Sequence, residues 1–322
     1  MGKRTIGWCV AALAVVVVLA GTVAFAAEKD TWSGVERIVA VGDVHGDCEQ
    51  FVKTLRAAGV IDEENNWKAG KTHLVQVGDV LDRGPDSRKA MDLLMRLEEQ
   101  AAKAGGAVHA LIGNHEAMVL LGDLRYMNPA EAESYGGVEQ YREAMSTRGK
   151  YGRWIRSHNA AIKINDLLFV HAGIVGTYGE KSLTEINEAV REQLKKGEQQ
   201  GIASGSGGPL WNRMPAVGDE ARVAAEMAKV LKRYGARRMV IGHTVSRDGV
   251  KARAGGRVIR IDVGMCAHYG GPAACLVVEK GVFYEVRHPD TKRKLPLETP
   301  AEKPAASRPG METLPSATRK AA

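Results

Sequence analysis

Five short apolar runs in this chain each end on an Asp, Asn or His beside or close to glycine, and that recurrence restricts what the chain can fold into. Arg37-Ile38-Val39-Ala40-Val41 leads into Gly42-Asp43-Val44-His45-Gly46. His73-Leu74-Val75-Gln76-Val77 leads into Gly78-Asp79-Val80-Leu81-Asp82-Arg83-Gly84, and Val108-His109-Ala110-Leu111-Ile112 into Gly113-Asn114-His115-Glu116. Leu167-Leu168-Phe169-Val170 runs into His171, and Met239-Val240-Ile241 into Gly242-His243. Short apolar runs bounded by glycine read as buried strands, and in α/β sheets the carboxyl ends of such strands are where ligands bind. Glycine lets the backbone turn sharply there and approach a ligand closely. Taken singly, Asp43-Val44-His45 fits a turn with a capping Asp as well as it fits a metal grip. Five such ends in one chain favour the grip.

Helical patterns separate the strands. A polar, helix-compatible run follows Asp47, and Asp86-Ser87 opens a segment with Met91, Leu94, Met95 and Leu97 on one face, closed by Gly105-Gly106. Strand–helix–strand alternation of this kind predicts α/β layering.

Gly-Asp-x-His-Gly, Gly-Asp-x-x-Asp-Arg-Gly and Gly-Asn-His-Glu, in this order, resemble the calcineurin-like metallophosphoesterases. Asp82-Arg83 is similar to the phosphoprotein phosphatase branch. Pro209-Leu210-Trp211-Asn212-Arg213 and Ile261-Asp262-Val263-Gly264-Met265 resemble its bacterial members, the Shewanella-like protein phosphatases. The likeness covers roughly residues 35–286. Ala172 after His171 departs from the eukaryotic pattern, where Gly-Gly is usual, and so does the run Cys266-Ala267-His268-Tyr269-Gly270. Both departures bear on substrate class and leave the metal residues alone.

The resemblance implies a metallophosphoesterase-type β-sandwich flanked by helices in αββα layers, with a helical cap formed by insertions. It implies two divalent ions, of Mn, Fe or Zn, with Asp43 and His45 on the first, Asp79 bridging, and Asn114, His171 and His243 on the second. Imidazole, carboxylate and amide oxygen suit those metals better than Ca, and no thiolate pattern is present. His115 is implied as the acid that protonates the leaving oxygen and Asp82 as its partner; a His–Asp pair favours the imidazolium. Arg83 matches a phosphate clamp, since guanidinium meets a phosphoryl group in bidentate fashion. Asn114, Arg213 and Tyr269 are further candidates for the substrate side. His73, His109, His158, His268 and His288 read as ordinary histidines.

The implied activity is hydrolysis of phosphomonoesters on phosphoproteins or phosphopeptides (Ser/Thr or Tyr), or on small molecules, by direct attack of a metal-bridging hydroxide. A dinucleoside-polyphosphate hydrolase shares the first three motifs. A non-catalytic binding module on the same fold has no need to keep His115 and Arg83.

The net charge of +7 does not signal nucleic acid, because Lys3 and Arg4 lie at one end and seven basic against four acidic residues at the other, in 290–322. The body is left near balance. Lys3-Arg4, the apolar run 8–19 and Ala24-Phe25-Ala26 read as a signal peptide over residues 1–26, cleaved before Ala27. The uncharged stretch 6–27 also fits an uncleaved inner-membrane anchor, since about 20 apolar residues span a bilayer. Either way the body is expected to be exported, periplasmic or secreted, with membrane contact only if the segment is kept. The catalytic domain is expected over 27–289. It carries insertions at about 117–160 and 179–235 that are read as a cap, with packing on the sheet edge as the rival reading. Residues 290–322 are expected to form a disordered Pro/Ala/Lys-rich tail. Cys48, Cys266 and Cys275 are an odd set for a disulfide framework, and Cys275 reads as a buried free thiol.

Overall fold

The structure, a computed structural model, describes residues 29–297. Two six-stranded sheets flanked by helices form one core. In the first sheet the parallel centre is β2 (Arg37–Val41), β3 (His73–Gln76) and β4 (Ala107–Ala110). β10 (Ala274–Glu279), β11 (Val282–Arg287) and β12 (Thr291–Lys294) extend it antiparallel from β2. The second sheet has the order β1-β5-β6-β7-β9-β8, from β1 (Thr31–Trp32), β5 (Ala161–Ile164), β6 (Leu167–Val170), β7 (Arg238–Ile241), β8 (Lys251–Arg253) and β9 (Val258–Arg260). β6, β7 and β9 run parallel.

Register is what makes a site. Val41 pairs with Gln76 and Gln76 with Ala110, while Val170 pairs with Ile241 and Ile241 with Arg260. The parallel strands therefore end level with one another in each sheet. His171 Nδ1 bonds Val77 O at 3.0 Å and His243 N donates to both carboxylate oxygens of Asp43, so the two sets of loops meet. The strands that carry them, β2, β3, β6 and β7, are almost wholly buried, which explains why they are mostly apolar and do not alternate apolar with polar.

The helices of the first sheet are α1 (Cys48–Ala57) and α2 (Ser87–Lys103). Asp47 caps α1 through Gln50 N. The region 117–160 holds α3 (Asn114–Leu120), α4 (Pro129–Ser134), α5 (Val138–Met145) and α6 (Lys150–Ser157). α7 (Leu183–Lys196), α8 (Met214–Val217) and α9 (Glu220–Tyr234) follow. Ser182 and Glu185 form a capping box on α7, and Gly197 closes it in the left-handed region.

Three expectations need correction. The tail does not begin at 290: β12 pairs with β11, and Leu295 is buried, because Lys292 and Arg293 meet Glu279 and Glu285 and give this edge strand partners. The rest of the tail, 298–322, lies outside the described residues, as does the signal segment 1–26. The second insertion is not a cap along its length. α7 packs on β5, with Asn187 bonded to Ala160 and Ala161, and α9 packs on β7. Their apolar faces, Ile186, Val190 and Leu194 on one and Val223, Met227 and Val230 on the other, go to the sheet and leave none for a lid. The third concerns the first insertion, which meets the site through the loop before α4, where Tyr126 lies over Arg83 and Asn128 bonds Arg83 O. Cys48, Cys266 and Cys275 are all free, with Cys266 and Cys275 buried. Among the described residues no helix is long and apolar enough to cross a membrane.

Candidate two-metal site

Asp43, His45, Asp79, Asp82, Asn114, His115, His171 and His243 are all buried and come together where the loops meet. His45, Asp79, Asp82, Arg83 and His243 sit at positive φ (47°, 59°, 70°, 71° and 62°), a conformation non-glycine residues rarely adopt. Such strain persists only where the surroundings enforce it, and it clusters at functional sites. Glycine gives the room. A Cβ at Gly113 would collide with Asp79 Oδ1, and one at Gly242 with Asp43 Oδ1.

Asp79 lies at the centre. Its Oδ2 is 3.3 Å from His171 Nε2, 3.7 Å from His45 Nε2 and 3.9 Å from His115 Nε2. Burial alone would raise its pKa, but the imidazoles of His171, His115 and His45 hold it well below its ordinary value. Asp43 is raised well above the carboxylate range by burial and by the neighbouring Asp262 and Asp79.

The histidine tautomers follow from their second nitrogens, because a carbonyl oxygen only accepts. His45 Nδ1–H donates to Leu81 O (3.1 Å), His171 Nδ1–H to Val77 O (3.0 Å) and His243 Nε2–H to Trp211 O (3.2 Å). Burial lowers His45 to about 4 and His243 to about 3, so both rings are neutral at pH 7. Each neutral ring then turns a lone pair inward. His171 Nε2 stands 3.2 Å from His243 Nδ1, 2.9 Å from Asn114 Oδ1 and 3.3 Å from Asp79 Oδ2. On the other side His45 Nε2 faces Asp79 Oδ2 and, at 3.9 Å, Asp43 Oδ2. The lone pairs of His45 and His243 and the Asp79 carboxylate are acceptors turned into one pocket, and a cation between them removes their mutual repulsion. Among the described residues, Asp79–His171–His243 and His45–Asp79–His115 are the sets of three whose ligand atoms all lie within 4.8 Å. This donor chemistry fits two divalent ions sharing Asp79.

His115 differs from the other imidazoles. Asp82 Oδ2 bonds its Nδ1 at 2.6 Å, and Asp79 Oδ1 accepts from its backbone N–H at 2.9 Å. Burial pulls its pKa down, but the carboxylates of Asp79 and Asp82 outweigh that and hold it above 6.5. Its Nε2 therefore presents a proton to the same pocket in which His45 and His243 present lone pairs. Although it falls within ligand distance of Asp79, this pairing makes it an acid.

The substrate-side candidates fare unequally. The Arg83 guanidinium stacks on Tyr126 at 4.0 Å and its buried Nε has no protein hydrogen-bond partner. Tyr269 packs its ring 5.4 Å from His45. Arg213 Nη1 bonds His243 O (2.6 Å) and Thr244 Oγ1 (3.0 Å), an arrangement that braces the His243 loop.

The sequence reading passed over Glu116, Gln76, Asp262 and Tyr126. Glu116 is buried, and its carboxylate accepts four backbone N–H groups, from Asp79, Val80, Leu81 and Gly113. It ties two motif loops together. Its place in the first turn after Gly113 is a helix-start signal, and nothing in the sequence announces that it reaches a second loop. Gln76 also ties two loops, but as a donor: its Nε2 donates to Gly42 O and to Gly78 O. Asp262, pushed up to about 6 by burial, binds Gly264 N behind Asp43.

Residues 36–247 match the family described as calcineurin-like phosphoesterase. An uncharacterised protein of Schizosaccharomyces pombe is 34% identical over 76% of this chain and 77% of its own length. Shewanella-like protein phosphatase 2 of Arabidopsis thaliana is 30% identical, over 71% of each chain. The crystal structure of the cold-active protein-tyrosine phosphatase of a psychrophilic Shewanella species superposes with a TM-score of 0.75 at 30% identity, covering 83% of this chain and 82% of that one.

Proposed function

Because the chain belongs to the calcineurin-like phosphoesterase family, we propose that it is a metal-dependent phosphatase that removes phosphate from phosphorylated proteins or peptides. The observation that carries this reading is the contrast within one pocket: imidazoles that offer lone pairs surround Asp79, beside one imidazole that offers a proton. Two divalent ions bound there supply charge neutralisation for the phosphoryl oxygens and activation of water. The imidazole, carboxylate and amide donors suit Mn, Fe or Zn. Asp43, His45, Asp79, Asn114, His171 and His243 are the side chains that would hold these ions. Arg83 binds a phosphoryl oxygen, and stacking on Tyr126 fixes the plane of its guanidinium. His115 gives its Nε2 proton to the leaving oxygen, while Asp82 holds the opposite nitrogen. The likeness to protein phosphatases, a protein-tyrosine phosphatase among them, favours phosphopeptides over nucleotides. The body is proposed to be exported, with a mature start at Ala27.

The test is a substrate panel on the metal-loaded protein: phosphotyrosine, phosphoserine and phosphothreonine peptides and diadenosine tetraphosphate. Phosphate release from the peptides is expected. Turnover of the dinucleotide alone would overturn the substrate reading, and no turnover with both ions bound would overturn the enzyme reading.

A further inference from the structure

Asp82 and Arg83, neighbours with two different tasks, both sit at positive φ, so something outside the pair must hold them there. The first-metal loop holds one side through main-chain bonds, Gly84 N to His45 O and Asp86 N to Gly46 O, both 2.9 Å. The other side is held by the insertion. Arg83 N donates to Tyr126 O at 3.0 Å, and Asn128 Nδ2 donates to Arg83 O at 2.8 Å. Asn128 is itself fixed, because its Oδ1 caps α4 through Ala130 N. At the far end of the loop α2 begins, and Asp86 makes no side-chain cap there. Glu131, buried on α4, supplies it from outside: its Oε2 accepts from Ser87 N at 2.8 Å and its Oε1 from Arg88 N at 2.9 Å. Two backbone donors at a helix start, with no local cap, take a carboxylate well. Arg88 grips the same insertion again, through its bond to Ser134 O and its stacking 4.9 Å from the centre of the Tyr135 ring.

We propose that Asn128 and Glu131 are positioning residues for catalysis: they clamp the loop 83–88 at both ends and thereby set Asp82 against His115 and Arg83 against the phosphoryl group. Neither side chain is among the metal or phosphate ligands assigned above. Asn128 controls the carbonyl of the clamp Arg83 itself, and Glu131 fixes where the loop enters α2. The first insertion acts through these two side chains, not as a lid. The inference rests on the phosphatase reading of the site.

The test uses the full, metal-loaded chain with Glu131→Ala, Glu131→Gln and Asn128→Ala beside wild type. Three quantities are read: bound metal, affinity for inorganic phosphate by calorimetry, and kcat/KM on an alkyl phosphate and on nitrophenyl phosphate. Misplacing a catalytic group by about 1 Å costs up to about 10²-fold. Glu131→Ala is expected to keep both ions and lose about that much on the alkyl phosphate, with a smaller loss on nitrophenyl phosphate, whose leaving group needs the acid less. Glu131→Gln, which keeps one acceptor oxygen, should recover part of the loss. Asn128→Ala should weaken phosphate binding roughly tenfold with little change in leaving-group preference, since its contact is with Arg83. A purely structural role predicts a lower melting temperature with unchanged phosphate affinity and leaving-group ratio in the folded fraction, and that result would overturn the inference. Should Glu131→Ala not fold, Asn128→Ala and Glu131→Gln decide the matter alone. Failure of the phosphatase reading is separate, because it shows as absent turnover in wild type. Phosphate affinity still reads the placement of Arg83 in that case.

Discussion

Two groups of histidines contrast in this protein, one buried around a shared carboxylate and one half-buried beside tryptophan. His45, His115, His171 and His243 surround Asp79, with Asp43 and Asp82 close by. At the β4 edge of the first sheet, His109 Nε2 bonds His73 Nδ1 at 3.0 Å, and the Trp32 ring centre lies 4.3 Å from that of His109. His109 and His158 line a cavity of about 300 Å³ with Trp32, Trp154, Glu98 and Lys29. Burial pushes His109 and His158 down to about 3. The neighbouring His73 and then Lys29 disfavour protonation of His109 further, and Lys29 does the same to His73. His73 and His109, packed beside Trp32 with no carboxylate on their rings, serve as flat, half-polar packing residues. His158 is held neutral by burial even though Glu98 Oε1 lies 3.7 Å from its Nε2. Imidazole around a shared carboxylate becomes either a ligand or an acid. Which of the two it becomes depends on its second nitrogen, since a carbonyl there gives a ligand and a carboxylate gives an acid.

The largest effect should come from removing the carboxylate that separates the groups. Asp79→Asn is expected to reduce turnover to background and bound metal to roughly one ion or fewer per chain, because both ions share that side chain. Metal analysis showing two ions with normal turnover would end the two-metal reading and, with it, the contrast.

Next in size is the acid. His115→Asn should retain both ions yet slow alkyl phosphates far more than nitrophenyl phosphate. General acid catalysis contributes about 10²–10⁴-fold, so the gap between the substrates should be at least roughly tenfold. Equal loss on both would mean that His115 binds phosphate, and loss of metal would make it a ligand like its neighbours. Asp82→Asn should show the same preference more weakly. It leaves the imidazole in place while removing the charge that holds its proton.

How much of this was legible in the sequence follows the same division. Residues adjacent in the chain to a strand end and a glycine, such as Asp43, Asp79, Asn114 and His243, can be read because the strand fixes where they point. The α2 span was legible from apolar spacing and Gly105-Gly106. The carriers of geometry were not. Glu116 and Glu131 look like ordinary helix glutamates, and their roles exist only because another loop brings backbone N–H groups to them. β12 was hidden by its Thr-Lys-Arg-Lys sequence, which reads as a solvated tail until Glu279 and Glu285 face it. The cap reading of the second insertion failed for a related reason, since an amphipathic helix pattern records that one face is buried and not what buries it.

The smallest expected effect tests the second group of histidines. His109→Gln should leave metal content and kcat/KM within about twofold of wild type. Losing the bond to His73 should cost about 1 kcal/mol, a few degrees of melting temperature in a domain of this size. Its pH dependence is the sharper reading. His109 has a folded pKa near 3 against 6.5 for an ordinary histidine, so the folded state refuses a proton that the unfolded chain accepts. Its contribution to stability is therefore fully present above pH 6.5 and is lost as pH falls toward 3. Glutamine does not titrate, so the variant's melting temperature should fall less steeply than wild type's between those values. His45 and His243 titrate in the same window, but they are unchanged in the variant and cancel in the difference. Parallel melting curves in wild type and variant across that range would show that His109 is not held neutral by burial. Loss of metal or turnover would show that the two groups of imidazoles are not separate.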